Sequence, residues 1–84
     1  MYEIILTKTF ADELKKLEKK ESERIKKKLE TAKENPWLYF QRLAGYEFFR
    51  LRVGKYRIIA SIIPREKRIY LMSVRLRKKA YDRL

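Results

Sequence analysis

The stretch Phe48-Phe49-Arg50-Leu51-Arg52-Val53-Gly54-Lys55-Tyr56-Arg57-Ile58-Ile59-Ala60-Ser61-Ile62-Ile63 decides the fold. From Tyr46 the hydrophobic period is two, with Phe49, Leu51 and Val53 on one side and Phe48, Arg50 and Arg52 on the other. That alternation is a strand with one wetted face. Gly54-Lys55, with the glycine first, suits a type II′ turn of two residues, whose first position requires positive φ. Tyr56 to Ile63 is a mostly apolar run bounded by turn residues, the pattern of a strand lying centrally in a sheet. The two halves therefore form an antiparallel hairpin. Downstream, Pro64-Arg65-Glu66-Lys67 supplies another turn and Arg68 to Val74 a last strand, with a short helix or tail over Lys78 to Leu84.

Upstream the period changes. Tyr2-Glu3-Ile4-Ile5-Leu6 is rich in β-branched and aromatic residues and reads as a first strand. Thr9-Phe10-Ala11-Asp12 fits a capping box, and Phe10, Leu14 and Leu17 follow at helical spacing to about Lys19. After a break at Lys20-Glu21-Ser22, Ile25, Leu29 and Ala32 continue that spacing in a second helix, which stops before Asn35-Pro36. The expected fold class is α+β with the order β-α-α-β-β-β: an antiparallel-type, four-stranded sheet with an N-terminal helical hairpin on one face. The other face is left open.

The chain has 84 residues, which suits one domain over 1–84. Its 23 Lys and Arg against 11 Asp and Glu give a net charge of +12, far beyond what solubility needs, so a polyanionic target is expected. No apolar run is long enough to span a bilayer, and Met1 to Leu6 lacks a signal-peptide core, so the expected location is cytoplasmic, with no membrane partner. There is no Cys and no His, which argues against thiolate or imidazole metal sites and His-based acid–base chemistry. No metal or other cofactor is expected. A single Asn, a single Gln and a 40% charged composition suggest a thermophilic source.

If Gly54-Lys55 is the turn, Val53 opposes Tyr56 and Arg52 opposes Arg57, with Arg50 two residues further along the same face. Like charges so placed repel, and a bound phosphate would explain them, because the guanidinium fork matches phosphate oxygens in two-point contact. A solvated basic face is the competing reading. Phe48 and Tyr70 share the open face and offer either stacking surfaces for bases or the apolar edge of a core or partner contact. Trp37 and Tyr39 read as packing residues. The pairs Lys15-Lys16 and Lys19-Lys20 and the run Lys26-Lys27-Lys28 read as solvated helix faces that are also able to hold RNA phosphates.

Three pieces of the chain together carry a family pattern: Leu43-Ala44-Gly45, then Phe49-Arg50-Leu51-Arg52-Val53-Gly54-Lys55-Tyr56-Arg57-Ile58-Ile59, then Ser73-Val74 with Arg77 and Tyr81. With the element order and the chain length, they closely resemble the RelE/ParE toxin superfamily over almost the whole chain. The resemblance implies a RelE-like fold and the toxin of a type II toxin–antitoxin system. It further implies a metal-independent endoribonuclease, or messenger-RNA interferase, that cuts messenger RNA in the ribosomal A site. In that chemistry the ribose 2′-hydroxyl attacks the adjacent phosphate. The implied partners are the ribosome, messenger RNA and a RelB-like antitoxin, in a toxin–antitoxin heterotetramer.

Carried over position by position, the resemblance implies catalytic roles for Arg52, Arg57, Arg77 and Tyr81, and RNA contacts for Arg50, Lys55, Lys78, Lys79 and Phe48. This chain departs from relatives that carry lysines where Arg50 and Arg52 stand and a histidine where it has Leu76. Arg, with a pKa above about 12, is a poor proton acceptor, which leaves Tyr81, Lys55 or Lys78 as candidate bases, or catalysis by alignment and electrostatics. Within the same superfamily, ParE-like members inhibit DNA gyrase without nuclease activity, and fold alone does not separate the two activities.

Overall fold

The structure is a computed structural model that describes residues 1–43 and 48–76. Its elements are β1 (Glu3–Leu6), α1 (Lys8–Lys15), α2 (Lys19–Ala32), α3 (Pro36–Tyr39), β2 (Gln41–Arg42), β3 (Phe48–Val53), β4 (Tyr56–Ile63) and β5 (Arg68–Leu76). The strands form one sheet in the order β1-β5-β4-β3-β2.

The hairpin has the expected register. Val53 opposes Tyr56 and Arg52 opposes Arg57. Gly54 has φ +60° and Lys55 does not share that sign, the combination of a type II′ turn, whose twist matches the flanking strands. The guanidinium of Arg24, on α2, lies over Gly54, so a Cβ there would sit 2.9 Å from its Nη1.

Two parts of the architecture differ from the sequence reading. The sheet is mixed: β1 runs parallel to β5, Ile4 opposite Ile69 and Leu6 opposite Leu71, because the helices carry the chain across before the antiparallel strands begin. It also has five strands, since Gln41 and Arg42 pair with Arg50 and Phe49 as the short edge strand β2. α3 is a further addition; its turn starts at Pro36, where the missing N–H is no loss.

The helix boundaries shift as well. The cap of α1 is Thr7 rather than Thr9: its Oγ1 accepts from the Phe10 N–H and donates to the Leu71 carbonyl at 2.7 Å. α1 ends at Lys15, not near Lys19, and Lys20-Glu21-Ser22 lies inside α2 rather than in a break. The final strand continues two residues past Val74, to Leu76.

The core lies between one sheet face and the helices. Phe10, Leu14, Ile25, Leu29 and Ala32 pack against Phe49, Leu51, Val53, Tyr56, Ile58, Ala60, Ile62, Ile69, Leu71 and Val74. Trp37 of α3 meets Tyr2 and Phe49 edge-on, at centroid distances of 6.2 and 5.7 Å, and so closes the core at the β3 side while half exposed itself. Among the described residues no helix is long and apolar enough to cross a membrane.

Candidate nucleic-acid interface

The side chains that do not face the helices form rows across the sheet face that no described element covers. Nearest the Gly54 turn, β3, β4 and β5 bring Arg52, Arg57 and Arg75 into line, Arg57 being the direct cross-strand neighbour of both others. The next row is Arg50, Ile59 and Ser73, and the one after it Phe48, Ser61 and Tyr70. Beyond these Arg68 meets Glu3 and Glu66 at 3.6 and 3.9 Å, so charge at that end is balanced within the chain.

At the other end the described residues supply fewer ion pairs. Arg57 and Arg75 have no carboxylate partner among the described residues. Arg50 donates to the neutral Oε1 of Gln41 at 3.2 Å. The Nε atoms of Arg50 and Arg57 are buried and lack a hydrogen-bond partner among the described residues. An unsatisfied buried donor costs about 1–3 kcal/mol, so these two arginines are held on the sheet without full satisfaction of their own donors by the described residues. The arrangement suits phosphate: several forked donors, fixed by strand register, converge on one face.

Cations also gather at the outer edge of β3. A cleft of about 210 Å³ is lined by Lys28, Tyr39, Gln41, Arg50 and Arg52. Beside it, a wider one of about 430 Å³ is lined by Arg24, Lys27, Lys28, Arg52 and Gly54 among others. Lys27 and Lys28 therefore adjoin the arginines. Lys26 points elsewhere, to an apolar cleft of about 510 Å³ beside β1 that also holds Ile4, Leu6, Phe10 and Leu14.

The sequence-predicted residues separate into three groups. Arg50, Arg52 and Arg57 come together as expected. Phe48 shares their face but sits four residues from Arg52 along β3, about 14 Å at ~3.4 Å per residue, with Tyr70 beyond Ser61 in the same row. Tyr70 donates its hydroxyl to Glu66 at 3.0 Å. The aromatic row is thus adjacent to Arg50 and not to the Arg52–Arg57 pair. Lys55 is drawn away from the arginines: its ammonium lies 5.9 Å from the centroid of Tyr56, a ring of the helix-covered face. Arg77, Lys78, Lys79 and Tyr81 lie outside the described residues.

Three neighbours of this surface are not evident in the sequence. Gln41 holds Arg50, and a strand of two residues leaves no pattern to read. Arg75 joins the row because β5 carries a bulge. Glu13 accepts the Val74 N–H at 2.9 Å where β1, ending at Leu6, no longer covers the edge of β5.

Comparison with known proteins identifies the family and the fold. The model of the ParE toxin of type II toxin–antitoxin system, parDE, matches residues 4–81. No curated protein gives a match. Among solved structures, the chain is similar to the RelB–RelE antitoxin–toxin complex of Methanococcus jannaschii, with 28% identity, TM-score 0.73 and coverage of 95% of this chain and 98% of that one. It shares its fold with the toxin–antitoxin complex RelBE2 of Mycobacterium tuberculosis (20% identity, TM-score 0.81, 90% and 98% covered). The same holds for the archaeal RelE–RelB complex of Pyrococcus horikoshii (23% identity, TM-score 0.78, 90% and 94% covered). With a family match over nearly its full length and the same fold as these RelE proteins, the chain belongs to the RelE/ParE superfamily of toxins of type II toxin–antitoxin systems.

Proposed function

We propose that this toxin is a RelE-type messenger-RNA interferase, a metal-independent endoribonuclease acting on messenger RNA in the ribosomal A site, in the cytoplasm. The observation that carries the reading is the convergence of Arg50, Arg52 and Arg57 on the sheet face that no described element covers. In the proposed reaction the 2′-oxygen bonds to the adjacent phosphorus and the bond to the 5′-oxygen breaks, leaving a 2′,3′-cyclic phosphate and a 5′-hydroxyl. The hydroxyl proton passes to a base and the leaving oxygen takes up a proton. Extra negative charge on the phosphorane is where fixed guanidiniums act, more strongly in the transition state than in the ground state.

Arg52 and Arg57 hold the scissile phosphate, and Arg50 a neighbouring oxygen or phosphate. By family likeness Arg77 supplies a further cation and Tyr81 stacks on or orients the substrate, while Lys78, Lys79 and Phe48 contact RNA. Lys55, engaged with Tyr56, is a weaker candidate for proton transfer than Tyr81 or Lys78. A RelB-like antitoxin, in a heterotetramer, is the proposed partner. The +12 charge calls for acidic positions on it, and the open face and the apolar cleft beside β1 for an amphipathic segment.

A second reading, inhibition of DNA gyrase without nuclease activity, is favoured by the parDE designation of the matching family model. End mapping in cells expressing the toxin separates the two. The interferase produces messenger-RNA breaks within translated codons. A gyrase inhibitor produces gyrase-dependent DNA breaks and intact messages, a result that would overturn the interferase reading.

A further inference from the structure

β5 carries one residue more than β4 across their pairing: Ala60 opposes Leu71, but Ile59 opposes Ser73, and Met72 is the extra residue. The sequence of burial records it, Ser73 and Val74 being buried in succession. Because side chains alternate, one inserted residue reverses the facing of everything after it. Continued without the bulge from Ile63 opposite Arg68, the register would set Val74 against Arg57 on the open face and turn Arg75 toward the helices beside Tyr56. With the bulge, Val74 enters the core and Arg75 stands exposed beside Arg57.

The displaced strand is held in place. Glu13 takes the Val74 N–H, and both the N–H and the hydroxyl of Thr7 donate to the Leu71 carbonyl. Like charges directly opposite each other destabilise a sheet, and the bulge creates such a pair while leaving Arg75 without an acidic partner among the described residues. A third arginine turned toward two others at an energetic cost has a use if the row is read by a polyanion.

We propose that Arg75, aimed by the β5 bulge, is a third phosphate-binding residue of this surface, extending the Arg52–Arg57 site across β5 so that RNA lies crosswise to the strands. The row spans two strand spacings, about 10 Å between Arg52 and Arg75 at ~4.8 Å each, and so takes a phosphate next to the scissile one. This rests on the proposed RNA-cleaving function. The role is binding, shared between ground and transition states.

The test is the salt dependence of binding to a short 2′-O-methyl oligoribonucleotide of mixed sequence, which keeps the phosphates and lacks the attacking hydroxyl. Each phosphate contact to a single strand contributes about 0.7 to the slope of log K against log salt. Arg75→Ala should lower the slope by about that amount, as should Arg57→Ala, and Arg75→Lys should restore it. If Arg57→Ala lowers the slope and Arg75→Ala does not, Arg75 is a solvated side chain and the inference fails while the functional reading stands. If neither variant changes the slope, this face is not the RNA site, and both fail.

Discussion

At the scale of single residues, what matters most is that Arg57 has a cationic neighbour on each side, Arg52 and Arg75, and a buried Nε without a hydrogen-bond partner among the described residues. Its removal should separate function from stability. Arg57→Ala is expected to slow cleavage by about 10²-fold, in the range seen when one donor to a developing oxyanion is lost. Relief of two like-charge contacts should meanwhile leave thermal stability equal to or above that of the parent, as read by thermal melts beside single-turnover rates. Loss of stability with unchanged activity per folded molecule would make the arginines structural. Tyr81 gives a second test. Tyr81→Phe should retain most activity if the ring stacks on a base, because a phenol of pKa about 10 is mostly protonated at neutral pH. Tyr81→Ala should lose it, and an alanine variant that cuts at the parental rate would remove Tyr81 from the site.

At the scale of elements, legibility follows the range of the interactions that set each feature. The β3–β4 hairpin is readable because Gly54 at positive φ and the period of two are local, and they fix the Arg52–Arg57 pair without reference to anything else. The cap at Thr7 is hidden because its hydroxyl is also held by the Leu71 carbonyl, a contact between the two ends of the chain. Thr9-Phe10-Ala11-Asp12 has the right letters for a cap but lies within the helix. The parallel β1–β5 pairing is hidden for the same reason, and Arg75 escapes notice because its facing depends on a bulge that no local pattern announces. That bulge makes Glu13 a residue of consequence. Its carboxylate takes an N–H left uncovered at the end of β1, a charge-assisted bond worth about 1.5–3 kcal/mol. Glu13→Ala should therefore destabilise the fold by about that amount and speed amide exchange at Val74 more than at Leu51. Equal exchange at the two sites would show that α1 does not hold the strand.

At the scale of the molecule, the charges are arranged by region. Acidic residues pair with Arg68, Lys33 and Lys8 away from the Gly54 turn, whereas Arg24, Lys27 and Lys28 of α2 extend the arginine surface around the outer edge of β3. This charge distribution would steer a polyanion to one end of the sheet, away from the apolar cleft beside β1. If the antitoxin is held mainly through apolar surface, the complex should survive about 1 M salt, where the screening length is roughly 3 Å. Ready dissociation there would assign its affinity to charge alone. Cleavage of RNA by the arginine face is the proposed activity on which the rest depends. Its most direct measurement is the mapping of cleavage products on a messenger RNA, either held in the A site of a reconstituted translation complex or free of ribosomes, for the parent and for Arg57→Ala. Ribosome-dependent cuts within the codon, ending in a 2′,3′-cyclic phosphate and a 5′-hydroxyl and strongly reduced in the variant, are the predicted result. An intact message with the parent protein, or cuts that Arg57→Ala makes equally fast, would contradict it.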